Sequence, residues 1–330
     1  MSPAPLLELD GLTTHYVSAR GTRVVPAVED VSLRLDAGET LGIVGESGSG
    51  KTTLALTILR LLPPAARIIR GAIRFQGEDL VPKSDAEMRR IRGKRIAMIL
   101  QDPMASLNPL FSVGEQVAEP IRIHEGADRR SAWTRARDLL KAVKISAPDT
   151  RVREYPHQLS GGMRQRIVGA IAISCGPRLL IADEPTTSLD VTIQAQYLNL
   201  LRELQRTHGL ALIFITHNLG IVAKMCDRIA VMYAGCLVES GPVTTIFDAP
   251  AHPYTRALLE SIPRMDDGNR RLTAIDGQPP DLAAPPPGCS FHPRCPDVMD
   301  RCRAEAPPAF AVAREQTARC WLAAPATVRS

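Results

Sequence analysis

The chain has 330 residues, 45% of them hydrophobic but only 4% aromatic, and 40 Lys and Arg against 35 Asp and Glu leave a net charge of +5. That length suggests roughly two domains of about 150 residues each, and the apolar content excludes wholesale disorder. The basic excess is small and forms no dense run, which argues against a dedicated nucleic-acid binder. No apolar stretch approaches the roughly 18 residues of a membrane span; the best runs, such as Leu210 to Ile215, are strand-sized. The N-terminal segment carries Glu8 and Asp10 early and lacks the charged-then-apolar order of a signal peptide. A cytoplasmic protein, or one peripheral to a membrane it does not enter, is expected.

As far as about Pro263 the chain alternates strand-like and helix-like segments in the manner of an α/β domain. Leu6–Leu9 and Val28–Leu35 read as strands of an N-terminal antiparallel sheet. Thr40–Val44 is a short apolar run, then comes a glycine-rich turn, then a helix from Lys51 to Leu62. Gly71–Phe75 and Ile96–Leu100 follow as strands, Gly114–Ile121 and Arg130–Val143 as helices, and Gly161–Cys175 as a further helix. Leu179–Ala182 and Leu210–Thr216 are buried strands flanking a helix over Ile193–Gln205. Ile229–Tyr233 and Cys236–Ser240, joined by Ala-Gly, form a hairpin. Beyond this the composition shifts: ten of the 27 prolines fall within 266–330, so this stretch is expected to be a separate appendage that cannot continue the sheet.

The strongest local signal is Gly45-Glu46-Ser47-Gly48-Ser49-Gly50-Lys51-Thr52, followed by Thr53. It satisfies G-x-x-x-x-G-K-[ST] in context, with an apolar strand before it and a helix after. The glycines let backbone N–H groups wrap round phosphate oxygens, and the helix N-terminus adds its positive dipole. Lys51 would reach the β- and γ-phosphates and Thr52 would ligate Mg²⁺. A second strand, Leu179–Ala182, ends in Asp183 and Glu184. Asp183 is placed to hold Mg²⁺ and Glu184 to polarise an attacking water. Gln101 and His217 also follow apolar strands, where ligands bind in open α/β sheets; taken singly, each reads more readily as a structural polar group.

Between the lysine and the acids lies Leu159-Ser160-Gly161-Gly162-Met163-Arg164-Gln165-Arg166. A serine and two glycines opening a helix make a second anion-binding terminus. This segment resembles the LSGGQ signature of ABC-transporter ATPases, with Met163 in the last position. The resemblance covers about residues 6–263 and its motif order is complete. It implies that Tyr16 stacks on adenine, Gly45–Thr52 is the Walker A loop and Gln101 is the Q-loop residue. Asp183 and Glu184 match the Walker B end, Ser188-Leu189-Asp190 the D-loop and His217 the H-loop. The implied fold is α/β: a P-loop NTPase of ABC type with a RecA-like core, an N-terminal antiparallel β-subdomain and a helical signature subdomain over about 104–175. The ATPase domain would be 1–263 and the extension 264–330. In this family the signature of one subunit closes on ATP held by the P-loop of another.

Gln101–Pro109 and His252–Leu259 look like the dipeptide, oligopeptide and nickel importer ATPases. That likeness implies a paralogous ATPase partner forming a heterodimer, two transmembrane permease subunits and an extracytoplasmic substrate-binding protein, at the cytoplasmic face of the bacterial inner membrane. The segment Met104–Ile121 would receive the permease. Nickel, glutathione or another small solute is the alternative cargo; a non-transport ABC ATPase and a redox-sensing tail are more distant readings. Cys289, Cys295, Cys302 and Cys320 enclose five, six and seventeen residues. Four thiolates suit Zn²⁺ or an iron–sulfur cluster, with His292 as a substitute ligand and four free cysteines in a disordered end as the third reading. The resemblance points to a 4Fe–4S cluster.

Overall fold

The computed structural model describes residues 4–19, 21–102, 106–187, 189–262 and 275–325. In chain order its strands are β1 (Leu7–Val17), β2 (Val24–Leu35), β3 (Thr40–Val44), β4 (Ala66–Phe75), β5 (Glu78–Asp79), β6 (Ile96–Ile99), β7 (Leu179–Asp183), β8 (Ala211–Ile215), β9 (Arg228–Tyr233), β10 (Cys236–Pro242), β11 (Phe310–Ala313) and β12 (Gln316–Ala318). The chain divides into two compact units, one of residues 1–35, 40–81 and 216–330, the other of residues 36–39 and 82–215.

In the first unit, β1 is paired antiparallel with β2 on one side and β4 on the other, with Leu7 opposite both Leu35 and Phe75. Leu7, Leu9 and Leu12 are almost fully buried, so the strands' alternation supplies one apolar face. The same unit holds a second set of strands. Here β3 runs parallel to β9, Val44 beside Val231. β9 turns back into β10 through Ala234 and Gly235, both at positive φ, as a two-residue hairpin requires. Its core joins Val44, Val231, Ile246, Tyr233 and Tyr254 to Phe291 of the C-terminal region.

The C-terminal region departs from the sequence expectation. It does continue the sheet: β12 pairs antiparallel with β10, Glu239 opposite Ala318, and β11 pairs with β12. Proline removes a ladder donor only at its own position, and the Phe310–Ala313 and Gln316–Ala318 segments contain none. Buried Glu239 fastens this edge, accepting hydrogen bonds from the Ala251 and His252 N–H groups and from Gln316 Nε2.

The second unit has β7 between β6 and β8, all parallel, Ile181 pairing with Met98 and Ile213. β7 and β8 are buried along their whole length, which is why they read as unbroken apolar runs. Helices cover Val113–Glu125, Arg129–Ala142, Gly161–Ile173 and Val191–His208. Each begins at a polar cap, respectively Ser112, Asp128, Ser160 and Asp190, whose side chain accepts a backbone N–H of the first turn. Among the described residues, no helix is long and apolar enough to cross a membrane.

Candidate active site

The glycine-rich loop runs from the end of β3 into the helix Lys51–Ile58. Gly45 and Gly50 have φ of 152° and 101°, and a Cβ there would lie 2.1 Å from the Met232 carbonyl oxygen and 2.2 Å from that of Ala27. The loop is therefore pressed against backbone at both ends and admits no side chain at either. Ser49 O accepts the Gly235 N–H, which stitches the loop to the β9–β10 turn. Among the described residues no side chain caps the following helix, whose N-cap is Gly50 itself. Lys51 is 7% exposed. Its ammonium donates to Gly45 O at 2.8 Å, Glu46 O at 2.9 Å and Ser49 Oγ at 3.3 Å, so the cation sits in the hollow of the loop. Ser47, Gly48 and Thr52 are exposed and Thr53 is half-buried. Tyr16, on β1, brings its hydroxyl to 3.4 Å from Thr53 Oγ1.

Glu46 is the most constrained residue of the loop. Its N–H donates to Tyr254 Oη at 2.9 Å, and its carboxylate receives both terminal nitrogens of Arg294 at 2.7 and 3.1 Å. Neither partner carries a role in the sequence reading. Tyr254 lies in a segment quoted only for its likeness to a subfamily, and Arg294 is 248 positions from Glu46. No periodicity or spacing could have paired them.

In the second unit, Asp183 closes β7 at 2% exposure. Glu184 follows with φ of 45°, a conformation that costs a non-glycine residue about 1 kcal/mol or more and is concentrated at functional sites. Its N–H is tied to Ile215 O, and its carboxylate accepts from Gln101 Nε2 at 3.2 Å and Thr187 Oγ1 at 2.9 Å. Gln101 and Glu184 are thus brought together. So are the signature and Asp190, which share the wall of an open groove of about 670 Å³ with Ser160, Gly161, Gly162, Lys144 and Arg166. The two signature glycines differ. A Cβ on Gly162 would lie 2.7 Å from Ile193 Cγ2, whereas one on Gly161 would have no described atom within 4 Å. His217 is exposed in the first unit, immediately before Asn218, which caps the helix Leu219–Met225. Ser188 and the 103–105 part of the importer-like segment, including Met104, lie outside the described residues.

Cys289, Cys295, Cys302 and Cys320 all line one small cavity of about 10 Å³, together with His252 and His292. All four are free thiols. Burial pushes the Cys289 and Cys295 thiols up to about 11, and raises Cys320 as well. His292 turns its Nδ1 to the Cys289 carbonyl oxygen at 3.0 Å. The geometry lends the expected metal centre no support: among the described residues, no three His, Cys, Asp or Glu side chains are grouped so as to hold a metal ion. Cys289 and Cys295 pack against the cluster that contains Phe291, and Cys302 lies with Trp321.

The ABC transporter family model matches residues 28–187, and that of the oligopeptide/dipeptide transporter C-terminal region matches residues 238–302. The oligopeptide transport ATP-binding protein OppD of Bacillus subtilis is 49% identical over 97% of this chain and 89% of its own length. The dipeptide transport ATP-binding protein DppD of the same organism is 49% identical over 96% of this chain and 94% of its own. Among solved structures, a dimeric ATP-binding cassette in a post-hydrolysis state with ADP and phosphate is 27% identical. It covers 72% of this chain and 98% of its own, with a TM-score of 0.64. The chain therefore belongs to the ATP-binding subunits of ABC transporters, an ATPase family, in the branch that carries the oligopeptide/dipeptide transporter C-terminal region.

Proposed function

We propose that this chain is the ATP-hydrolysing subunit of an importer of di- or oligopeptides. The observation that carries the reading is the glycine-locked loop with the Lys51 ammonium in its hollow, in a chain 49% identical to peptide-transport ATP-binding proteins along nearly its whole length. On this reading the cassette comprises 1–263, with a helical subdomain over about 104–175, and 264–330 is the extension.

The roles follow from the chemistry of each group. Gly45–Thr53 holds the phosphates, with Lys51 as counter-charge, and Tyr16 stacks on adenine. Thr52, Gln101 and Asp183 offer the hard oxygen donors that suit Mg²⁺, which when bound neutralises charge on the transferring phosphoryl group. Glu184 takes the proton of the attacking water, held in orientation by Gln101 and Thr187, and His217 supports the γ-phosphate. Ser160, Gly161, Gly162 and Asp190 serve a nucleotide held by another ATPase subunit. The bare surface over Gly161 supports this, since nothing in its own unit needs a glycine there. The partners are then a paralogous ATPase, two transmembrane permeases and an extracytoplasmic substrate-binding protein, with this chain peripheral at the cytoplasmic face of the inner membrane. On this reading Cys289, Cys295, Cys302 and Cys320 would be the residues that hold a 4Fe–4S cluster, and they would have to draw closer together than they stand here to do so. A four-thiol donor set around one cavity supports that assignment, and its part is to knit a proline-rich segment, not to take part in hydrolysis.

Reconstituting the chain with its paralogue and permeases in proteoliposomes tests the reading. ATP-dependent accumulation of labelled peptide is expected, with low turnover by the isolated chain. Full-rate hydrolysis by a demonstrated monomer, or uptake of nickel in place of peptide, would overturn the corresponding part.

A further inference from the structure

Arg294 makes more contacts than an ordinary surface arginine. Its guanidinium donates to both oxygens of Glu46, to Tyr233 Oη at 3.3 Å, to Asp276 O at 2.9 Å and to Ile275 O at 3.3 Å. Its side chain is 4% exposed and that of Glu46 26%. It also lies over the rings of Tyr233 and Phe291, at 5.8 and 6.0 Å from their centroids. Those two rings meet edge to face at 5.2 Å, and Tyr254 packs against both at 4.5 and 5.3 Å. Tyr254 in turn accepts the Glu46 N–H.

The electrostatics of the loop give this arrangement a purpose. Glu46 is an anion built into a loop whose backbone and Lys51 are arranged to receive anions. Left free, its carboxylate would compete for the ammonium and repel a phosphate chain nearby. A forked, buried guanidinium both neutralises it and fixes its direction, which a point charge on a flexible stem does less well. A second tie joins the same extension to the N-terminal sheet: Arg319, beside Cys320, donates to Asp30 O and Oδ2, both at 2.7 Å.

We propose that the C-terminal extension is a brace for the nucleotide-binding loop, with Arg294 as the positioning residue that holds the Glu46 carboxylate away from the phosphates. The proposal rests on reading Gly45–Thr52 as the ATP site. It assigns the extension a part in ATP affinity that is separate from any metal its cysteines hold.

The test is a double-mutant cycle on the full chain, read as the Kd of a fluorescent ATP analogue with Mg²⁺ and as thermal melting. Arg294→Met is expected to weaken binding about tenfold, as couplings of this kind typically do. The further change Glu46→Gln in that background removes the loose carboxylate, and should bring Kd to within about threefold of Glu46→Gln alone. In the assembled transporter the Arg294→Met loss should sit in KM, with kcat little changed. An arginine that merely holds the fold together would lower the melting temperature without rescue of affinity by Glu46→Gln. If Arg294→Met does not fold, the cycle is run with Arg294→Lys, where a loss of about two- to fivefold is expected, again cancelled by Glu46→Gln. A folded Arg294 variant with Kd within twofold of the parent, or two effects that simply multiply, would overturn the brace. Failure of the unaltered chain to bind the analogue would overturn the ATP reading and, with it, this one.

Discussion

The P-loop and the signature turn are both glycine-rich entries into a helix, and they are built in opposite ways. The P-loop is enclosed by its own unit: backbone carbonyls of Met232 and Ala27 stand where side chains on Gly45 and Gly50 would be, and Glu46 is gripped on two sides. The signature turn has an ordinary serine cap and a bare outer face over Gly161. The first is a socket completed by its own chain. The second is an open surface, which on the proposed reading another subunit would complete. Substitutions in the socket should therefore reach binding, whereas those at Glu184 and Gly161 should reach turnover with binding intact.

The largest separation is expected at Glu184. Glu184→Gln keeps the hydrogen bonds from Gln101 and Thr187 but removes the base, so steady-state ATPase in the assembled transporter should fall about 10²–10⁴-fold. ATP affinity, measured by equilibrium binding, should stay within a few-fold. Turnover close to the parent's would remove Glu184 from the role.

The glycines sharpen the contrast at smaller scale. Gly45→Ala meets the Met232 backbone, which cannot yield as a side chain can, and nucleotide binding should weaken by roughly a hundredfold or more. Gly162→Ala meets only the Ile193 methyl group, and should cost about 1–3 kcal/mol of stability on a denaturant curve. Gly161→Ala should leave stability unchanged while ATPase of the complex drops about tenfold. A stability loss at Gly161 equal to that at Gly162 would erase the distinction.

At neutral pH the smallest effect concerns the support behind the socket. His252 caps the helix Pro253–Glu260, accepting the Tyr254 N–H on Nδ1, and burial pushes it down to about 3. Unfolded, it titrates near 6.5, so between that pH and about 3 the unfolded chain binds the extra proton. Stability should thus fall as pH drops below about 6.5, by at most about 1.4 kcal/mol per pH unit from this group. His252→Asn keeps a capping acceptor and should flatten that part of the melting-temperature profile.

Much of this was legible in the sequence where the determinants are local. Thr40–Val44 was bounded by its own apolar run, and the P-loop by glycines that match G-x-x-x-x-G-K-[ST] between a strand and a helix. Elsewhere boundaries moved for identifiable reasons. β1 was expected to end at Leu9 but continues to Val17, because Gly11, at φ of 57°, marks a register shift that the strand survives. The helix after the P-loop stops at Ile58, short of Leu62, where Arg60 turns to positive φ. The pairing of β12 with β10, and of Arg294 with Glu46, joins residues more than 70 positions apart. Only the folded chain brings such partners into view. The same holds for Gly161 and Gly162, identical in sequence and distinguished only by what stands over them.

The grip of Arg294 on Glu46 also imposes an order in time. Glu46 is translated 248 residues before its partner, a delay of about 10–50 s at ordinary rates of synthesis. A nascent chain still on the ribosome carries the loop without its brace, and so does any product broken off before the extension. On the proposed brace, full affinity for the nucleotide thus arrives only with the last fifth of the polypeptide.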